Sequence, residues 1–218
     1  MEKLPNLPTS LQYFADIRKS DCIYVDKTEY IYSLCRPPNR PYFLSRPRRF
    51  GKSLTLDTIS ELFSGNRALF KGLWIEDKWD WSETYPVIRM SLDEIRLENG
   101  LTEALQEALH DIAKKFKIRL HKTDTGMLFR ELIRTVAEKT GKQVVVLIEG
   151  YDMPITDAVD PTIAEQNRQI LKYFFSPLKM ASNRIRFLLI TGVYPLLSPE
   201  LNHLDNITDD VNSYNIVG

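Results

Sequence analysis

The sequence has no excess of charge of either sign. Lys plus Arg and Asp plus Glu number 29 each among 218 residues, so the formal net charge is zero. No bulk field therefore draws the chain to nucleic acid or to an anionic membrane, and any basic function has to be local. Cysteine is scarce: Cys22 and Cys35 form no Cys-x-x-Cys pair and have no histidine cluster beside them. That spacing argues against a disulfide framework and a zinc site, and the two read as reduced thiols. His110, His121 and His203 lie scattered on polar stretches, without metal or triad spacing. The longest apolar runs, Val144 to Ile148 and Phe187 to Ile190, fall far short of the roughly 20 residues that cross a bilayer. Met1 to Pro8 has neither the apolar stretch of a secretion signal nor an Arg-rich amphipathic one, so the expectation is a cytoplasmic protein without a membrane partner. No repeat, low-complexity tract or linker divides the chain, and 1–218 is taken as one domain, with a helical cover over 1–40 and an α/β core over 41–218.

The patterns that are present alternate between two periods. Leu11, Phe14 and Ile17 are spaced as in a short helix over Thr9 to Lys19, and Thr28 is placed to cap a second one carrying Ile31, Leu34 and Cys35. Tyr42 to Ser45 reads as a buried strand. A helix follows with Leu54, Leu56, Ile59 and Phe63 on its apolar stripe. Trp74, Trp79 and Trp81 lie in a connection ahead of a second strand at Pro86 to Leu92, and fit a packing cluster better than a binding platform. Helices are expected at about Leu101 to Lys117, Gly126 to Thr140 and Thr162 to Met180. Val144 to Ile148 and Ile185 to Ile190 are apolar on both faces, as in parallel strands buried from both sides. Strands separated by helices predict a mainly parallel sheet flanked by helices, a three-layer α/β fold.

Gly51-Lys52-Ser53 sits between an apolar strand and the first turn of a helix, where unpaired amides and the helix dipole favour phosphate. A bare tripeptide of this kind arises by chance in roughly one in ten chains of this length, so the context carries the weight. In the functional reading Gly51 lets the backbone approach phosphates, the Lys52 ammonium pairs with them, and the Ser53 hydroxyl ligates magnesium. The full pattern Gly-x4-Gly-Lys-Ser would need glycine where the chain has Arg46. Arg46, Arg48 and Arg49 instead bring guanidinium groups to the loop, with Pro47 stiffening it and Phe50 and Leu54 completing it. The plain alternative is a solvated basic loop.

Two further strand ends are candidates. Glu149 closes the Val144 to Ile148 run, where an acid can hold magnesium through water; the residue after it, a position where many such enzymes carry a water-polarising glutamate, is Gly150. A missing base removes roughly a hundredfold to ten-thousandfold of rate. Asp152 is near in sequence, but alternation alone does not aim it. Thr191, with Gly192 at the end of the last apolar strand, is placed to sense a terminal phosphate, because ligands collect at the carboxyl ends of parallel strands.

Together Tyr24-Val25-Asp26-Lys27-Thr28, Tyr42 to Ser53, Leu147 to Asp152, Thr191-Gly192-Val193 and Leu201 to Thr208 resemble the AAA-ATPase-like family, P-loop domains often joined to a carboxy-terminal nuclease-like domain of the PD-D/E-x-K type. The resemblance covers nearly the whole chain and implies a P-loop fold of the AAA type, with an added strand beside the P-loop strand. It implies ATP and Mg2+ as ligands and the same glycine-poor opening at Arg46. Two positions depart from the family pattern: Gly150 stands where a glutamate is usual, and Tyr194-Pro195 where a hydroxyl residue and lysine are usual. The resemblance thus implies ATP binding with weak hydrolysis, Lys52, Glu149 and Thr191 carrying the catalytic roles and Ser53 and Glu149 the metal. The alternative is a pseudo-ATPase acting as a protein-interaction module, and a truncated or degenerate copy stays open. Nucleotide binding is expected to act on a protein partner or a second copy. Direct nucleic-acid binding is not expected, given zero net charge and no aromatic interleaving at the loop.

Overall fold

The apolar run at Val144 becomes the strand on which the other layers register. In the computed structural model, which describes residues 6–8, 11, 13–20, 22–38, 40–194 and 209–210, this strand spans Val144–Glu149 and all six of its residues are buried. Its side chains divide by parity, as a pleated strand requires. Val144, Val146 and Ile148 enter one hydrophobic core, and Val145 and Leu147 enter a second on the opposite face.

In chain order the elements are α1 (Phe14–Lys19), α2 (Thr28–Cys35), β1 (Arg40–Ser45), α3 (Lys52–Phe63), β2 (Val87–Ser91), α4 (Leu101–Lys115), α5 (Thr125–Thr140), β3 (Val144–Glu149), α6 (Met153–Thr156), α7 (Pro161–Phe175), β4 (Ile185–Gly192) and β5 (Asp209–Asp210). The sheet order is β2-β3-β4-β1-β5, and each neighbouring pair is parallel. Side chains of α4, α5 and α7 fill the first core, while α1, α2 and α3 with the aromatic connection fill the second. Helices thus cover both faces of a parallel sheet, as the apolar strands required.

Local chemistry explains most element ends. The Asp124 carboxyl accepts from the Met127 amide at 2.9 Å to open α5, and Gly141 ends that helix at φ 66°. Asp160 caps α7, with Pro161 in the first turn. The sequence pattern carried this helix to Met180, but the α-helix stops at Phe175 and a 3-10 stretch runs over Ser176–Arg184. Pro177 is the reason: it has no amide to donate back to the Tyr173 carbonyl, which accepts from the Ser176 hydroxyl at 3.0 Å instead. Thr28 also differs from its expected role. It is the first residue of α2 rather than its cap, and Asp26 does the capping, accepting from the Thr28 amide at 2.8 Å and hydroxyl at 2.6 Å. The other Asp26 oxygen accepts from the Trp74 amide at 2.7 Å. The tryptophans pack locally: Trp79 lies edge-on to Phe63, and Trp81 sits 5.1 Å from the Phe70 ring. The proposed amino-terminal helix is shorter than the pattern from Thr9, with α1 confined to Phe14–Lys19; Thr9, Ser10 and Gln12 lie outside the described residues. Among the described residues no helix is long and apolar enough to cross a membrane.

The tie between the two edges of the second core is polar. Asp57, buried on α3, accepts from the Phe14 amide of α1 and from Arg89 of β2, both at 2.6 Å. Breaking a buried charge pair from one side costs about 3 kcal/mol or more, whereas an exposed pair contributes about 0–1 kcal/mol. Asp57→Ala is therefore expected to lower the urea midpoint by the equivalent of about 3 kcal/mol. Asp157→Ala, which breaks an exposed pair with Arg48, should shift it by less than about 1 kcal/mol.

Candidate functional site

The loop between β1 and α3 is held at both ends. Its first amide, of Arg46, donates to the Gly192 carbonyl of β4 at 3.1 Å, and the carbonyl of its last residue, Gly51, accepts from the Thr55 amide at 2.9 Å and the Thr55 hydroxyl at 3.0 Å. Between these ties the backbone takes left-handed conformations at Arg49 (φ 67°) and Gly51 (φ 77°). Gly51 adopts this at no steric cost, while Arg49 stores about 1–3 kcal/mol of strain. Side chains provide no cap for α3, so the amides of its first turn have no intrahelical partner and face the loop.

Lys52, the first residue of α3, folds back over that loop. Its ammonium donates to the carbonyls of Arg46 (2.8 Å) and Pro47 (3.0 Å). Burial lowers its pKa below the ordinary lysine range; Asp152, Asp93 and Glu149 pull it back up, and Arg48 adds to the lowering. The arginines are not gathered over the loop as the sequence suggested. Arg46 donates to the Ser45 carbonyl at 3.0 Å, and Arg48 turns to Asp157 at 3.3 Å and to the Met153 sulfur at 3.5 Å. Phe50 is exposed, and Leu54 is half-buried against the second core.

Parity on β3 aims Glu149. Val145 and Leu147 face the α3 core, so the next odd residue, Glu149, points to the same side at the strand's end. There its carboxyl accepts from the Ser53 hydroxyl and pairs with Arg89 at 3.4 Å. Ser53 and Glu149, ninety-six positions apart, are thus in direct contact. A hydroxyl and a carboxylate converging beside exposed amides form an all-oxygen donor set of the kind that suits a hard divalent cation such as Mg2+, which keeps most of its own waters.

Beyond Glu149 the chain turns sharply. Gly150 has φ 65°, and a Cβ built there would collide with the carboxyl of Asp93, just past the end of β2. The Leu92 amide donates to the Glu149 carbonyl at 2.8 Å, which carries the strand pairing up to this point. Asp93 is solvent-accessible, and its carboxyl is raised above the ordinary range by desolvation, then by Glu149 and Asp152, with Lys52 and Arg48 opposing. Asp152 is buried and accepts through Oδ2 from the Val193 (2.9 Å) and Tyr194 (2.8 Å) amides, while Oδ1 has no hydrogen-bond partner among the described residues. Thr191 is fully buried, its hydroxyl 3.5 Å from the Ile148 carbonyl. The structure therefore places Lys52, Ser53 and Glu149 together, while Thr191 lies behind them between β4 and β3. Pro195, His203 and the Leu201 to Thr208 motif lie outside the described residues.

Sequence reasoning did not nominate Asp57, Arg89 or Asp93. Arg89 carried a usable signal, since an arginine inside the Val-Ile-Arg-Met-Ser strand falls on the α3 face by alternation. Asp93 carried none, because its place depends on how the chain leaves β2. Beside the loop, a cavity of about 230 Å³ is lined mainly by apolar groups, among them Ile23, Tyr24, Val25, Ile31, Gly51 and Leu54. Burial raises the Tyr24 hydroxyl to about 12. The two cysteines are free, and burial pushes the Cys35 thiol far above its ordinary range.

A sequence model described as "Predicted AAA-ATPase" matches residues 8–201 of the chain. An uncharacterized protein from the vnfD 5' region of Azotobacter chroococcum mcd 1 is 41% identical over 212 residues, which cover 94% of this chain and 41% of that protein. The chain thus spans well under half the length of this curated relative. No solved structure matches.

Gly150 supplies a test of the turn itself. A left-handed residue with a side chain costs about 1–2 kcal/mol, and the Asp93 carboxyl must also move aside. Gly150→Ala is expected to lower stability by about 2 kcal/mol or more, the backbone cost plus the displacement of Asp93. In an Asp93→Ala background the backbone share of that loss should survive, as read by urea unfolding of all four proteins in a double-mutant cycle.

Proposed function

The chain belongs to the AAA-ATPase-like family, and on that premise we propose that it is an ATP-binding P-loop domain of three-layer P-loop NTPase architecture. One observation carries the reading. Lys52 and Ser53 open the helix after β1, and the Ser53 hydroxyl meets the Glu149 carboxyl from the end of a neighbouring part of the same parallel sheet. This brings a cation, exposed helix amides and a divalent-ion donor pair to one point at the carboxyl ends of the strands, the common place for ligands in open α/β sheets.

In this reading the amides from Arg48 to Leu54 cradle the phosphates, with Gly51 keeping the approach clear. Lys52 exchanges the two carbonyls it now holds for phosphate oxygens. Ser53 and Glu149 would hold Mg2+, which when bound neutralises phosphate charge. The base enters the apolar cavity between α2 and the loop, whose 230 Å³ is below the roughly 300–1,000 Å³ of pockets for whole ligands, a size for the base alone. Thr191 acts from behind the site, through the β4 backbone that holds the loop at Gly192, rather than by touching phosphate.

A second reading rests on Gly150, which brings no carboxylate of its own: ATP is bound but not turned over, and the bound state is read by a partner or an attached domain. The greater length of the Azotobacter relative supports an attached domain as the receiver.

ATP with magnesium is expected to raise the melting temperature. At a hundred times the dissociation constant the stabilisation is about 2.7 kcal/mol. Lys52→Ala should abolish both the shift and the heat of binding in calorimetric titration. A melting curve unchanged by millimolar ATP and magnesium in the unaltered protein would sink the proposal.

A further inference from the structure

Three carboxylates lie where β2 and β3 end: Glu149 closes β3, Asp152 follows two residues after Gly150, and the Asp93 carboxyl occupies the space beside Gly150. Two of them are committed to structure. Glu149 holds the Ser53 hydroxyl and Arg89. Asp152 is buried, and one of its oxygens closes the turn after β4 by accepting two amides. Among the described residues no hydrogen bond or ion pair engages Asp93, and it is open to water. Its carboxyl also fills the space in which a side chain at position 150 would begin. A carboxylate that is wet and uncommitted, at the carboxyl edge of the sheet beside Glu149, has the properties asked of a group that orients and deprotonates an attacking water.

We propose that Asp93 is the water-activating carboxylate of this site, supplied from the end of β2 to the place left open by Gly150. The proposal rests on the ATP-binding reading above and turns it from binding into hydrolysis. The Asp93 carboxylate accepts a hydrogen bond from a water in line with the terminal phosphate. The water oxygen forms a bond to the γ-phosphorus as the bond from that phosphorus to the β–γ bridging oxygen breaks. Asp93 takes the proton released by the water and returns it to solvent. The leaving oxygen departs with its electron pair on ADP, and inorganic phosphate is the second product. Gly150 is then a requirement rather than a lesion. Its missing side chain clears the position, and its left-handed φ bends β3 away, so that a residue from the next strand can reach in.

The test compares the unaltered chain with Asp93→Asn and Asp93→Glu, measuring ATP·Mg2+ affinity by calorimetry and phosphate release under single-turnover conditions. The expected result is that Asp93→Asn binds ATP within about threefold of the parent but hydrolyses it about 100-fold or more slowly, while Asp93→Glu keeps the rate within about tenfold. Asp93→Asn is nearly isosteric at a water-exposed position, and circular dichroism with an unchanged melting curve establishes that it folds. Three results overturn the proposal: parental turnover in Asp93→Asn, an Asp93→Asn whose ATP affinity falls along with its rate, or a parent that binds ATP with no phosphate release. The last leaves the binding function intact, whereas a parent that binds no ATP removes both.

Discussion

A string of polar contacts crosses the α3 side of the sheet, and the geometry of the loop hangs on it. The Phe14 amide donates to Asp57, Asp57 pairs with Arg89, Arg89 pairs with Glu149, and Glu149 holds the Ser53 hydroxyl. Five residues on α1, α3, β2 and β3 are linked through a layer that is largely apolar. Charges desolvated to this degree are tolerated when each is paired and hydrogen-bonded, and every member of the string has its partner. The string fixes Glu149 against rotation and holds the first turn of α3 against the end of β3.

Much of this was legible in the sequence because burial forces periodicity. Val144 to Ile148 could be read as a two-sided strand because both faces are apolar. Counting by twos from Val145 and Leu147 then places Glu149 on the face of α3. The contact between Ser53 and Glu149, across ninety-six positions, follows once β3 is known to lie inside the sheet and the loop at its carboxyl edge. The parts that were not legible share a cause. Asp93 gets its position from the way the chain leaves β2. Arg48 lies beside Asp157 because α6, a single turn with no periodic signal, brings that aspartate under the loop. Asp57 reads as a polar residue on an amphipathic helix, and its burial is decided by α1 packing over it. Local pattern reports which face a residue uses; it does not report which distant segment covers that face.

Gly150 shows why a departure from a motif has to be read in three dimensions. In the linear sequence it is an absence. In the fold it is a left-handed hinge whose vacant side-chain position is taken by a carboxyl from the neighbouring strand. Parallel strands end side by side, so the chemistry expected from one can be delivered by the next.

The clasp of Lys52 on the Arg46 and Pro47 carbonyls has a consequence for how affinity would be read. Those two carbonyls are tethered competitors for the ammonium, present at a fixed and high effective concentration. Any phosphate must displace them, so a measured dissociation constant reports the difference between two sets of acceptors rather than the strength of one. The same clasp ties the first turn of α3 to the opening of the loop.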